Sequence, residues 1–168
     1  MVLVGIIMQK EGRVAGHMQL YSQDRGISQD IEGQAAAFGT LRLESAVSNT
    51  KLFAFAVRTA TSAKLHLVEV DHQACNPVFA KKAVDVDFPP KAAGDFPVAM
   101  QVSQKYSIIY LLTKYGFIHL YDLESGTCIF MNRISSETIF VSALDSESMG
   151  IVGINSKGQV LYLSLIHI

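Results

Sequence analysis

One short strand pattern returns four times along this chain, and that repetition constrains the fold more than any other feature. It reads GHMQLYS at 16–22, AKLHLVEV at 63–70, GFIHLYDL at 116–123 and, more faintly, GQVLYL at 158–163. An apolar run precedes each copy: LVGII at 3–7, LFAFAV at 52–57, IIYLLT at 108–113 and GIVGIN at 150–155. The copies recur at roughly 40–50 residues, the period at which one four-stranded antiparallel sheet forms one blade of a β-propeller. The expected fold class is therefore all-β, a propeller of four-stranded antiparallel blades.

The repeat is most legible from about 96 to 134. FPVAMQVS, YSIIYLLTK, FIHLYDL and TCIFMNRI are β-branched and aromatic runs separated by Gln104-Lys105, a tight Tyr115-Gly116 turn and Glu124-Ser125-Gly126. QAAAFGTLRL, KLFAFAVR, KLHLVEV and FAKKAVDVDF repeat that order from 34 to 88 with a longer link, and Asp87-Phe88-Pro89-Pro90 closes the blade because paired prolines cannot continue a ladder. The expected organisation is a partial blade over 1–33, a blade over 34–90, a blade over 91–135 and a partial blade over 136–162. Two whole blades and two partial ones fall short of the four to eight that close a ring, so the array is expected to be part of a larger one. The start, Met1-Val2-Leu3-Val4-Gly5, reads as the middle of a buried strand. The end, 163–168, reads LSLIHI like a translated sequencing adapter and is expected to be a non-native tail.

Composition narrows the function classes. Hydrophobic residues make up 49% and charged ones 17%, too apolar for disorder, and a net charge of −1 argues against nucleic acid or an anionic bilayer as an electrostatic partner. No apolar stretch approaches the ~20 residues of a membrane span, and Met1 is followed by no basic region or cleavage site of a signal peptide. Cys75 and Cys128 stand alone, which suits a reducing compartment and reads as buried structural thiols.

Catalytic and metal constellations fail on spacing. His66 and His119 occupy the same place in two repeats, where Gln19 stands in the first, so the array explains them without a metal. No nucleophile elbow, activated Cys–His pair, phosphate cradle or calcium loop is present; Asp85, Asp87 and Asp95 lack ligand spacing, and Lys81-Lys82 reads as solvated edge protection. Phe38, Phe53, Phe88, Phe96 and Tyr110 read as core or interblade packing. No cofactor is expected. An interaction module is favoured over an enzyme; the alternative is an unrelated propeller scaffold, or a hydrolase whose catalytic residues lie in other blades.

Several blocks carry a family resemblance: MQLYS at 18–22, Ile31-Glu32-Gly33, FAVR at 55–58, KLHLVEV at 64–70, KKAVDV at 81–86, DFPVAMQ at 95–101, TKYGFIHLYDLESGTCIFMNRIS at 113–135, ETIFV at 137–141 and KGQVL at 157–161. Colinear from about 2 to 161, they resemble the clathrin heavy chain family. The resemblance implies the second half of an amino-terminal seven-bladed propeller, in a non-enzymatic coat component of coated pits and coated vesicles on the cytoplasmic side of membranes. It implies binding of short linear peptides from endocytic adaptors during vesicle-mediated transport. The clathrin-box groove, the light-chain contacts and the trimerising leg would lie outside this chain. A second family groove, which takes arrestin-type apolar loops, matches here Leu20, Arg25, Gln29 and Ile31 from one blade with Phe55 and Val68 from the next. Asp30 stands where the family often has Pro, and a family Trp would fall just before Met1. A third site, at the ring's central face, would retain only Ile6.

Overall fold

The computed structural model describes residues 2–22, 27–32, 34–42, 50–58, 62–71, 80–103, 105–123, 125–145 and 147–165. Fourteen strands fill them. The first sheet holds β1 (Val2–Lys10), β2 (Arg13–Ser22) and β3 (Ile27–Glu32); the second holds β4 (Gln34–Arg42), β5 (Thr50–Arg58), β6 (Ala63–Asp71) and β7 (Ala80–Asp85). The third holds β8 (Pro97–Ser103), β9 (Ile108–Thr113), β10 (Phe117–Asp122) and β11 (Cys128–Arg133), and the fourth β12 (Ile139–Leu144), β13 (Ile151–Asn155) and β14 (Val160–Leu163). Every pairing is antiparallel between sequence neighbours, so each sheet is a meander.

The sheets radiate from a common line. β4 runs beside β8 and β8 beside β12, so the first strand of each of these sheets is innermost and later strands step outward. The first sheet approaches β4 through β1 and β2. This radial order, with sheets that do not close on one another, is that of a partial propeller. A 3-10 turn, Pro90–Ala92, begins at the last residue of the Asp87-Phe88-Pro89-Pro90 stop. At the β1–β2 hairpin, Glu11 and Gly12 both take positive φ, 52° and 76°, the pair of left-handed residues that a two-residue hairpin turn needs.

Sheet faces pack pairwise into two seams. Between the second and third sheets, Ala56, Ala63, Leu65 and Leu67 meet Met100, Ile109, Leu111, Tyr121 and Leu123, with Val86 and Phe88 of the connecting segment alongside. Between the third and fourth, Tyr110, Leu112, Ile118 and Leu120 meet Ile139 and Ile151. β9 and β10 are thus covered on both faces, which is why IIYLLT and FIHLY are continuous apolar runs rather than alternating ones.

Cys128 is exposed rather than buried: it opens β11, the outermost strand of its sheet, beside a register shift at Leu120/Tyr121, and its thiol donates to the Phe130 carbonyl at 3.4 Å. Cys75 lies outside the described residues. In the segment expected to be a tail, Leu163 and Leu165 pack against the core and Ser164 is buried, while 166–168 lie outside the described residues.

Candidate functional site: the grooves between sheets

Register places most of the expected groove positions. Leu20 stands opposite Gln29 and Met18 opposite Ile31. Directly opposed residues share a sheet face and alternate residues return to it, so Leu20, Gln29 and Ile31 fall on one face of the first sheet. The other face carries Val4 and Tyr21, both exposed. In the second sheet Ala56 and Leu65 belong to the face packed on the third. Phe55, opposite His66, and Val68, two residues further on, therefore fall at register positions of the other face of that sheet. Arg25 lies outside the described residues. Ile6 stands opposite His17 in the β1–β2 pair of the first sheet.

A second groove escaped the sequence reading. Between the third and fourth sheets an apolar recess of about 70 Å³ opens among Leu112, Ile134, Ile139, Ile151, Leu161 and Leu163, with Tyr162 and Gly153 at its border. It has room for one apolar side chain, far below the ~300–1,000 Å³ of small-molecule pockets. Its walls are held at fixed spacing by polar ties across the seam. Gln101 Nε2 donates to the Ser142 carbonyl at 2.9 Å, the Tyr110 hydroxyl to the Met149 carbonyl at 2.7 Å, and Thr138 Oγ1 to the Lys114 carbonyl at 2.6 Å. Asn155 Nδ2 donates to Ser135 Oγ at 3.1 Å. The signal that marks the recess in the sequence is the glycine inside GIVGIN, since glycine within a strand accompanies close approach. A Cβ at Gly153 would come within 2.8 Å of Ile139 Cγ2.

The rim is polar. Tyr162 and Ser148 share a hydrogen bond between hydroxyls at 2.6 Å, and Ser148 donates to Asp145. That hydroxyl, helped by the Glu147 amide, holds the Asp145 carboxyl below its ordinary pKa. Arg133 is committed elsewhere, donating to the carbonyls of Tyr115, Ser135 and Ser136 beneath the Phe117 ring. Cys128 keeps solvent exposure, yet partial desolvation by its neighbours raises its thiol pKa, the opposite of an activated nucleophile. Among the described residues no group of His, Cys, Asp and Glu is placed to hold a metal ion, and no helix is long and apolar enough to cross a membrane. The arrangement offers apolar floors, a few hydrogen-bonding groups at the rim, and sheet walls on either side.

Comparison with known proteins bears on the family through sequence and on the fold alone through shape. The model of the clathrin propeller repeat matches residues 92–124, which carry β8, β9 and β10. The chain is 59% identical over 166 residues to the clathrin heavy chain of Drosophila melanogaster, covering 98% of this chain and 10% of that one. It is 58% identical over 162 residues to clathrin heavy chain 2 of Homo sapiens and 48% over 166 to the clathrin heavy chain of Dictyostelium discoideum, again covering 96% and 98% of this chain and 10% of each relative. In shape it is similar to the Swd1 β-propeller domain of Myceliophteria thermophila, with a TM-score of 0.52 at 14% identity over 84% of this chain and 44% of that one. The chain spans about a tenth (10%) of the length of the curated relatives it matches. Repeat, sheet order and colinear identity across nearly the whole chain converge: this chain belongs to the clathrin heavy chain family and folds as part of a β-propeller.

Proposed function

We propose that this chain is a non-enzymatic interaction module of the clathrin coat, part of an amino-terminal propeller that binds short linear peptides of endocytic adaptors. In this reading the four sheets are successive blades of a seven-bladed ring, over 1–33, 34–90, 91–135 and 136–162. The protein works at the cytoplasmic face of coated pits and vesicles, while light-chain binding and trimerisation reside elsewhere in the parent. The observation that carries the reading is that adjacent sheets of this chain leave an apolar recess between them. The one at the third and fourth sheets, walled by hydrogen bonds and sized for one side chain, shows what a groove between blades offers, and the first seam is proposed as its peptide-binding counterpart. An extended peptide places alternate side chains into such grooves and leaves its backbone to the rim. Leu20, Ile31, Phe55 and Val68 supply the apolar positions at the first seam, and Arg25 and Gln29 its polar rim. A short motif gives up chain entropy and buries little area, so single affinities fall in the micromolar range or weaker. Many propellers facing many motifs raise the effective affinity.

The test is a fluorescence-anisotropy titration of a labelled arrestin-type apolar loop peptide against the chain. Val68→Asp is expected to weaken binding at least tenfold and Leu161→Gln to leave it within twofold, assigning the peptide to the first seam. Loss on Leu161→Gln alone would move the site to the seam between third and fourth sheets. Absence of binding at millimolar peptide would refute the reading.

A further inference from the structure

His119 lies in the middle of β10 at 1% exposure. Its ring stacks on Tyr121, centroids 6.2 Å apart and planes at 3°, and meets the edge of Phe88 at 5.7 Å. Register sets it opposite Leu111, and both Leu111 and Tyr121 belong to the cluster shared with Leu65 and Leu67 of the second sheet. The imidazole is thus part of the seam between second and third sheets. Its Nε2 is buried with no hydrogen-bond partner among the described residues. A neutral imidazole tolerates a bare lone pair there, but an imidazolium carries N–H on both nitrogens. Protonation would put an unsatisfied donor and a full charge into an apolar seam, which is costly.

Among the described residues, neighbouring charges offset only part of that cost. The carboxylates closest in influence are Asp95 and Asp87, both on the segment joining the two sheets. Asp95 already accepts hydrogen bonds from the Phe96 and Tyr115 amides and the Thr113 hydroxyl, and Asp87 is exposed. From its own sheet the imidazole faces Tyr121, whose hydroxyl pKa burial raises, and Cys128 across from Tyr121. From the second sheet come Leu65 and Leu67, with the Lys64–Asp85 ion pair closed on itself at 3.5 Å. Burial accordingly pulls the His119 pKa below its ordinary value, against the upward pull of the two carboxylates.

We propose that His119 is a proton-operated latch on the seam between the second and third sheets: neutral, it closes the seam; protonated, it loosens the two sheets from one another. The linkage has a definite sign. With a depressed folded pKa, the latch is fully closed above the ordinary histidine value of about 6.5 and weakens as pH falls toward the folded value.

Urea denaturation of the whole chain between pH 7.5 and 5, beside His119→Gln, tests it. The unfolding constant should rise up to about tenfold per pH unit below ~6.5 in the unmodified chain, then level off below the folded pKa. His119→Gln should remove that component of the slope, leaving whatever the other histidines contribute. Hydrogen exchange at the β6, β9 and β10 amides should speed up on acidification only when His119 is present. Equal pH dependence of the two proteins overturns the proposal. So does a His119 Cε1–H resonance titrating at or above ~6.5, which is read on the unmodified chain and needs no variant to fold. A chain already unfolded at pH 7.5 overturns it too, because a latch presupposes a closed seam.

Discussion

Gly116 occupies the turn between β9 and β10 at φ +80°, and a Cβ added there would lie 2.1 Å from the Ser135 carbonyl oxygen, 2.8 Å from its carbon and 3.0 Å from the Glu137 carbonyl oxygen. The turn cannot swing aside to make room. The Gly116 amide donates to the Thr113 carbonyl at 3.1 Å, and its own carbonyl accepts from the amides of Ile134 at 2.9 Å and Ser135 at 3.2 Å. Segment 134–137 links the third and fourth sheets, so displacing it strains the seam as well as the turn. Placing alanine in a left-handed conformation costs about 1 kcal/mol relative to glycine. Overlap with fixed backbone adds about 1–3 kcal/mol, as for overpacking. Gly116→Ala should therefore destabilise by about 2–4 kcal/mol. Gly158 provides the matched control, since it has nearly the same φ, +77°, with nothing within 4 Å of an added Cβ. Gly158→Ala should cost only the backbone part, about 1 kcal/mol. Urea denaturation followed by far-UV circular dichroism reads both, because the chain has no Trp for fluorescence. At a slope of about 2 kcal/mol/M, the two midpoints should differ by about 0.5–1.5 M. Midpoints within about 0.2 M of each other would refute the claim that contact with segment 134–137, rather than φ alone, reserves position 116 for glycine.

Three further outcomes follow from the same geometry. Asp95→Ala removes an acceptor serving two amides and the Thr113 hydroxyl, and should cost about 3 kcal/mol in urea denaturation, with Asp95→Asn intermediate. Tyr110→Phe deletes the 2.7 Å bond to the Met149 carbonyl and should cost about 1 kcal/mol at neutral pH. Burial pushes the Tyr110 pKa up to about 12 from its ordinary 10.0, so its contribution is fully present below pH 10 and lost as pH rises toward 12. The unmodified chain should therefore lose stability over that window more steeply than Tyr110→Phe, as thermal melts would show.

Strand identity was legible in the sequence because it depends on short-range signals. Runs such as IIYLLT and FIHLYDL are bounded by turn residues, and the Pro89-Pro90 pair must end a ladder whatever surrounds it. The period of the repeat then set the architecture, since a meander of this length cannot bury its faces alone and must stack on its neighbours. The candidate groove at the first seam was legible only through the family resemblance. Nothing local distinguishes Phe55 or Val68 from Leu65 or Leu67, which differ only in the face that their register gives them.

What tertiary structure alone decided is which faces meet and what is left between them. The recess bounded by Leu112, Ile139 and Leu161 exists because two sheets splay from their innermost strands, and ties such as Gln101 to Ser142 hold that splay. Its residues are scattered from 112 to 163, and no local pattern unites them. Exposure of Cys128 was misjudged for a related reason: a thiol's burial depends on whether its strand is inner or outer, and β11 is outermost. His119 makes the contrast most sharply. Its place in the repeat was visible at once, whereas its sealed Nε2 and the prior commitment of Asp95 arise only when the segment joining the second and third sheets folds back over the seam. Alternation and turn chemistry act over a few residues and can be read directly. Burial, pairing and charge are set by partners tens of residues away, and those appear only once the sheets have packed.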